Sequence, residues 1–332
     1  MTWTKSSTAW PSRRGKAPSR RPCNSGRGDH VTVRKVLANA AILLAGGVDP
    51  DAADVGLGER FNPRLDASLL LAKTLGLARH RLLASLSDQV TAADATVFDA
   101  LLSRRLAGES VAYILGSREF YGRPFLVDHR VLVPRPETEL LVALALGFLD
   151  SFAAHYGGPL RCHDACTGSG CVGLTIACQR PGLSVSLSDL SAGALAVAAA
   201  NIRALQADGE LLGAVDCLES DLLAAVPGTY CLITANPPYV DSTTTDVIFS
   251  GGSVEPRLAL DGGADGLRLY GDLAAQAYQR LVAGGALLVE IGEEQGAAVA
   301  ALFRQAGFRD VGVKQDLADQ DRVVIGYKHE AD

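Results

Sequence analysis

Between residues 31 and 107 the apolar positions recur at helical spacing. Val33, Val36, Leu37, Ala40, Ala41 and Leu44 follow the i, i+3, i+4, i+7 rule, and the pattern predicts an amphipathic helix closed by the glycines Gly46 and Gly47. The stretch 66–75 repeats it through Leu69, Leu70 and Ala72. Thr91 followed by Asp94 resembles a capping box, and it heads a helix expected to bury Val97, Phe98, Leu101 and Leu102. This part reads as a small all-α domain over 30–110. The pattern then changes. Glu119-Phe120-Tyr121 and Phe125-Leu126-Val127 flank Gly122, which predicts a short β-hairpin in a linker over 111–134. Val131-Leu132-Val133 runs into Pro134, and Pro136 stands where a helix can begin, continued by the apolar run 140–149.

From residue 160 onward two periodicities alternate. Strands are predicted at 160–165, 183–187, 215–218, 230–235, 286–291, 311–314 and 323–327, and helices at 170–179, 192–205, 266–282 and 295–305. Such alternation predicts a parallel sheet with helices on both faces, here in a domain over 135–332.

Composition narrows this picture. The 332 residues are 48% hydrophobic and 20% charged, enough for a sizeable core. No run of apolar residues is long enough to predict a membrane-spanning helix. The net charge of −6 understates the acidity of the body, because residues 1–30 hold seven Lys/Arg against Asp29 alone. An acidic body is a poor electrostatic partner for nucleic acid, whose phosphates are bound through Lys and Arg. The segment 1–29, rich in Ser, Arg, Pro and Gly, has almost nothing to bury and reads as a disordered basic tail. Its bias is compatible with an organelle transit peptide or a misplaced start codon, but it lacks the apolar stretch of a secretory signal. Four of the seven cysteines, Cys162, Cys166, Cys171 and Cys178, fall close together. They lie on a predicted strand, a Gly turn and a buried helix, so core packing is expected in place of a metal site.

Three groups carry candidate chemistry. Asp164-Ala165-Cys166-Thr167-Gly168-Ser169-Gly170 joins the first strand of the alternating region to its helix. Glycines there let a ligand approach the backbone, and the helix N-terminus offers free N–H groups. Asp189 ends the second strand, where a carboxylate can accept both hydroxyls of a ribose. Neither feature separates a nicotinamide cofactor from S-adenosylmethionine. Asn236-Pro237-Pro238-Tyr239, after the strand 230–235, is more discriminating. A planar NH2 group is a poor nucleophile because its lone pair is delocalised, so a site must hold it by its hydrogens and aim the nitrogen. Asn236 offers a side-chain carbonyl and Pro237 a main-chain carbonyl as acceptors. Pro238 stiffens the loop, and Tyr239 offers a flat face. These residues are the expected catalytic and substrate-binding set, with no dedicated general base evident in the sequence.

Four segments make the resemblance specific: Arg64-Leu65-Asp66-Ala67 through Gly76; Glu119-Phe120-Tyr121-Gly122 with Val131-Leu132-Val133-Pro134-Arg135-Pro136-Glu137-Thr138-Glu139; the Gly loop with the Asn-Pro-Pro-Tyr loop; and Glu255-Pro256-Arg257-Leu258-Ala259-Leu260-Asp261-Gly262-Gly263. Over 31–328 the chain resembles the HemK family of release factor glutamine methyltransferases. The resemblance implies a Rossmann-like class I methyltransferase domain with a mostly parallel seven-stranded sheet, preceded by a helical substrate-recognition domain and a β-hairpin linker. It implies S-adenosylmethionine as cofactor, bound by Cys166, Thr167, Gly168, Ser169, Gly170, Asp189, Leu222 and the Asn236 backbone. The implied partner is a class-1 peptide release factor, whose Gly-Gly-Gln glutamine would sit on Asn236, Pro237, Pro238 and Tyr239 and be methylated at N5. Glu137, Thr138 and Glu139 are expected on the cofactor side. Cytoplasmic location follows, with organelle targeting by the tail as the alternative. One departure stands out: Ala165-Cys166 occupies the place of the family's common Leu-Gly. A Cys-Thr-Gly-Ser sequence also occurs in the sister family acting on a ribosomal protein, so that substrate is the first alternative. An N6-adenine type nucleic-acid methyltransferase is the second.

The tail lies outside the resemblance and has no apolar periodicity. A chain beginning near Asp29 is therefore expected to fold and to methylate protein substrate at the full-length rate. Collapse of its activity at physiological salt would instead make the tail a recruiting arm.

Overall fold

The computed structural model describes residues 31–47 and 61–329. The basic tail expected over 1–29 lies outside the described residues.

Among the described residues five helices come first: α1 (Val33–Gly47), α2 (Pro63–Thr74), α3 (Arg79–Ala84), α4 (Ala92–Leu106) and α5 (Val111–Leu115). Asn62 caps α2 by accepting from Leu65 N at 3.1 Å, with Pro63 pre-set in the first turn. Thr91 Oγ1 accepts from Asp94 N at 3.1 Å and donates to Asp94 Oδ2 at 2.7 Å. That is a one-sided cap in place of the reciprocal box. Val33, Leu44, Leu70, Leu71, Leu82, Phe98 and Leu102 form a core of their own. Val97, expected inside, is 52% exposed, because the buried stripe of α4 runs through Phe98 and Leu102. Arg105 of α4 meets Asp66 of α2 at 2.9 Å within this unit.

The hairpin pairs β1 (Ser117–Phe120) with β2 (Arg123–Leu126). Its turn residues Tyr121 and Gly122 have φ of 52° and 76°, the positive pair that a two-residue turn between twisted strands requires. Asn201 fastens the hairpin to the larger domain: its Oδ1 accepts from Leu126 N at 2.7 Å, and its Nδ2 donates to Leu126 O and Ser169 O. α5, within the stretch expected to be linker, is short and buries Val111, Ala112, Tyr113 and Ile114.

The remaining elements are α6 (Glu139–Ala153), β3 (Arg161–Ala165), α7 (Cys171–Gln179), β4 (Ser184–Asp189), α8 (Ala192–Ala207), β5 (Val215–Glu219), β6 (Tyr230–Ala235), α9 (Ser242–Ser250), α10 (Tyr270–Arg280), β7 (Leu281–Glu290), α11 (Gly296–Gln305), β8 (Arg309–Gln315) and β9 (Asp321–Tyr327). The sheet has seven strands in the order β5-β4-β3-β6-β7-β9-β8. The pairs from β5 through β7 are parallel, and β9 runs antiparallel to both its neighbours. β6 is buried along its whole length, as a central parallel strand must be. One sheet face packs on α6 and α7 through Leu141, Val142, Ala145 and Leu174, and the other on α10 and α11 through Leu273, Ala277, Val299 and Phe303. The helix expected over 266–282 is shorter, because β7 already begins at Leu281. α9 was not legible: its Thr-rich sequence lacks an apolar stripe, and Asp241 makes the start by capping Thr244 N at 2.9 Å.

Candidate active site

The switch in strand order lies between β3 and β6, which leave the centre of the sheet with chain connections on opposite sides. Their carboxyl ends register Ala165 against Ala235, and β4 brings Asp189 alongside. Above them opens a cleft of about 1100 Å³, solvent at its mouth included. Of the predicted site residues, Cys166, Thr167, Gly168, Ser169, Asp189, Leu222, Asn236 and Pro238 line it. Gly170, Pro237 and Tyr239 do not. Gly170 instead caps α7 at φ 84°, where a Cβ would stand 2.8 Å from Leu174.

The Gly loop is built on two carboxylates. Asp164, buried at the end of β3, accepts from Thr167 Oγ1 at 2.6 Å, Gly173 N at 3.2 Å and Thr234 Oγ1 at 2.8 Å. Burial nonetheless pushes its pKa up to about 6. Asp189 accepts from Gly168 N and Ser191 N, each at 2.9 Å, and burial raises its pKa also. Each of its oxygens keeps a further lone pair for a ligand hydroxyl. Two non-glycine residues of the cleft stand in the left-handed region, Cys166 at φ 53° and Leu222 at φ 52°. Such backbone costs roughly 1–3 kcal/mol and persists where surrounding structure enforces it. Gly168, at φ 55°, has open space where a Cβ would be, so its backbone is bare toward the cleft.

The Asn-Pro-Pro-Tyr loop leaves β6 at Asn236. Asn236 Nδ2 donates to Thr138 Oγ1 at 3.3 Å, and this fixes which end of the amide is committed to protein. Tyr239 turns away from the cleft. Its hydroxyl is 3.4 Å from Glu290 Oε1 at the end of β7, and its main-chain carbonyl accepts from Gln295 Nε2 at 3.0 Å. Gly266 makes that approach possible, since a Cβ there would lie 2.3 Å from Tyr239 O. Of the acidic segment, Thr138 lines the cleft and Glu137 and Glu139 do not; Glu139 Oε1 accepts from Tyr121 N at 2.8 Å and so holds the hairpin turn.

Two features escaped the sequence reading. Arg135 and Glu255 form a buried ion pair, Nη2 to Oε2 at 2.6 Å and to Oε1 at 2.8 Å, with Val133 N also donating to Oε1. The pair welds the Arg-Pro-Glu-Thr-Glu segment to the Glu-Pro-Arg-Leu-Ala-Leu segment, and both line the cleft through Arg135, Pro256, Leu258 and Ala259. The second feature is Glu290. Glu290 is 1% exposed, and burial pushes its pKa up to about 7. Complementary charges in two unusually specific segments were the available signal for the ion pair. A lone acid ending an apolar strand gave none. Among the described residues no group of His, Cys, Asp or Glu is arranged to hold a metal, and Cys162 and Cys171 are buried in the core. No helix among them is long and apolar enough to cross a membrane.

Residues 56–116 match the family described as PrmC N-terminal domain, and residues 149–250 match the Methyltransferase small domain. The release factor glutamine methyltransferase of Bordetella pertussis is 42% identical over 83% of this chain and 97% of its own length. That of Moorella thermoacetica is 37% identical over 90% of this chain and 100% of its own. A solved structure, the protein-(glutamine-N5) methyltransferase (release factor-specific) from Alicyclobacillus acidocaldarius, is 30% identical, with a TM-score of 0.37 over 62% of this chain and 99% of that one. At such identity over nearly the full length of these relatives, the chain belongs to the release factor glutamine methyltransferase family.

Proposed function

We propose that this enzyme methylates the side-chain amide nitrogen (N5) of the glutamine in the Gly-Gly-Gln motif of class-1 peptide release factors. The observation that carries the reading is the Asn236 amide: its NH2 is committed to Thr138, which leaves its carbonyl as the acceptor at the cleft.

S-adenosylmethionine is the methyl donor of this family, and it supplies an electrophilic methyl on a sulfonium. The residues present fit it. Asp189 stands at the carboxyl end of β4 with lone pairs to spare, the bare backbone of Gly168 lies beside it, and Cys166 and Leu222 present backbone held in the left-handed region. Cys166, Thr167, Gly168, Ser169, Asp189 and Leu222 would hold the cofactor. Asn236 and the Pro237 carbonyl would take the two amide hydrogens of the glutamine and keep its nitrogen aimed. Catalysis is then mostly orientation, which is worth on the order of 7–11 kcal/mol in favourable cases. The positively charged N-methylated amide formed by the transfer is a strong acid and loses its proton to water unaided, leaving the neutral product, so the site needs no strong base. Tyr239, placed away from the cleft, supports the loop from behind; a stacking role for its ring is not part of this reading. The reading gives the body no nucleic-acid partner and places the reaction in the cytoplasm, where release factors act.

Asp189→Ala is expected to raise the dissociation constant for S-adenosylmethionine at least about tenfold. It removes a charged acceptor worth about 1.5–3 kcal/mol per hydrogen bond and also unbraces Gly168. Calorimetry giving an unchanged affinity would remove Asp189 from the site. The substrate assignment is tested by offering purified release factor, ribosomal protein and RNA in parallel with methyl-labelled cofactor. Label is expected on the release factor, and label confined to either of the others would overturn the assignment.

A further inference from the structure

Strands β3 and β4 both lie inside the sheet, where apolar side chains are the rule. His163 of β3 breaks it: the residue is 0% exposed and stands in register with Ser186 of β4. Ser188, two residues on, points to the same face as Ser186. The imidazole lies between the two hydroxyls, Nδ1 2.8 Å from Ser186 Oγ and Nε2 2.9 Å from Ser188 Oγ. From there the bonds leave in two directions. Ser188 Oγ donates to Leu222 O at 3.2 Å. Ser186 Oγ lies 3.2 Å from Tyr230 Oη, which donates to Pro227 O at 2.9 Å. Only the first direction reaches the cleft, which Leu222 lines with its backbone at φ 52°.

A neutral imidazole carries one N–H proton, and each of the three hydroxyls carries one. Four protons therefore face five hydrogen bonds, and one bond must go without. Only an imidazolium would fill all five. Burial, with Arg161 beside it, pushes the His163 pKa down to about 3, so the ring is neutral. The two neutral tautomers leave the gap in different places. With the proton on Nδ1 the ring donates to Ser186, Ser188 must give its proton to Nε2, and Leu222 O loses its donor. Among the described residues no other group donates to that carbonyl, and Leu222 is buried. An unpaired buried carbonyl is the costly outcome. With the proton on Nε2 the ring donates to Ser188, Ser188 donates to Leu222 O, and Ser186 donates to Nδ1. The bond given up is then the one between Ser186 and Tyr230, and Tyr230 still serves Pro227 O. No group of the network is left alone.

We propose that His163 and Ser188 are positioning residues of the cofactor site: His163, as its Nε2–H tautomer, donates to Ser188, and Ser188 thereby holds the Leu222 carbonyl and the left-handed backbone at the cleft. Neither side chain lines the cleft itself. The neighbouring bonds are anchored independently. Leu223 N donates to Gln276 Oε1 of α10 at 2.8 Å, and Thr167 N donates to Ser188 O at 3.0 Å. Those two bonds survive removal of the Ser188 hydroxyl, so the pair sets the tilt of one peptide and not the course of the loop.

The inference rests on the proposed placement of S-adenosylmethionine against Leu222 for its affinity arm alone. Nitrogen-15 NMR of the imidazoles reads the tautomer in cofactor-free wild type, with His163 assigned by its absence from His163→Gln. The Nε2–H pattern is expected, and an Nδ1–H pattern overturns the proposal whatever the enzyme methylates. Calorimetry supplies the second arm. Ser188→Ala is expected to weaken S-adenosylmethionine binding roughly tenfold, as loss of one hydrogen bond implies. His163→Leu should weaken it similarly, and His163→Gln, whose amide can donate toward Ser188, should recover most of the loss. The double variant Ser188→Ala with His163→Leu should bind no worse than either single one, because the two residues act as one unit. Wild-type affinity in Ser188→Ala, or losses that multiply in the double variant, would overturn the relay. If Ser188→Ala does not fold, the wild-type tautomer and the contrast between His163→Gln and His163→Leu decide. Neither arm uses a protein substrate, so failure of wild type to methylate a release factor contradicts only the proposed function.

Discussion

Asn236→Ala is expected to lose about two orders of magnitude or more in kcat while binding S-adenosylmethionine as tightly as wild type. The side chain lies at the cleft with its NH2 on Thr138, so the lost group is the carbonyl proposed to orient the substrate amide. A delocalised nitrogen reacts only when held, and misplacement by about 1 Å costs on the order of 10²-fold. The main chain of Asn236, which would face the cofactor, survives the substitution. Kinetics and calorimetry on one preparation separate the two effects. Near-normal turnover would remove the side chain from the mechanism, and a parallel collapse of cofactor affinity would make it an anchor instead.

Glu255→Ala is the second large effect, and it falls on stability as well as rate. Glu255 and Arg135 are 5% and 8% exposed, and removing the acid leaves a buried guanidinium and the Val133 N–H without their acceptor. Breaking a buried pair from one side costs about 3–5 kcal/mol. For a chain of this size that corresponds to a fall in Tm on the order of 10 °C, read by thermal unfolding. Activity is expected to fall further than stability alone explains, because Pro256, Leu258 and Ala259 of the same segment line the cleft. Replacing both partners together, Arg135→Met with Glu255→Leu, should recover much of the stability, since no charge is then stranded. A Glu255→Ala protein with wild-type Tm would show that the pair does not fasten these segments.

How much of this was legible before the coordinates depended on whether a feature was local. The Gly loop, Asp189 and the Asn-Pro-Pro-Tyr loop are short stretches whose chemistry sits in their own residues, and they come together at the carboxyl ends of β3, β4 and β6 as alternation of strand and helix implies. The hairpin was legible for the same reason, since Tyr121 and Gly122 carry its turn. Periodicity gave the helices that own an apolar stripe and missed α9, which is held by its Asp241 cap. It also placed Val97 inside, where one step around α4 decides between core and solvent. The ion pair of Arg135 and Glu255 links residues 120 apart in the chain, and no window of sequence contains both. Glu290 was hidden for a different reason: an acid at the end of an apolar strand looks like a strand end, and only the approach of the Tyr239 hydroxyl shows that it is buried behind the Asn-Pro-Pro-Tyr loop.

The account stands or falls on where the methyl group goes. Purified release factor is incubated with the enzyme and S-adenosylmethionine, digested, and sequenced by mass spectrometry. The predicted result is a single added methyl on the side chain of the Gly-Gly-Gln glutamine, absent with the Asn236→Ala enzyme. A methyl on any other residue of the factor, or an unmodified factor after prolonged incubation with a folded, cofactor-binding enzyme, would contradict it.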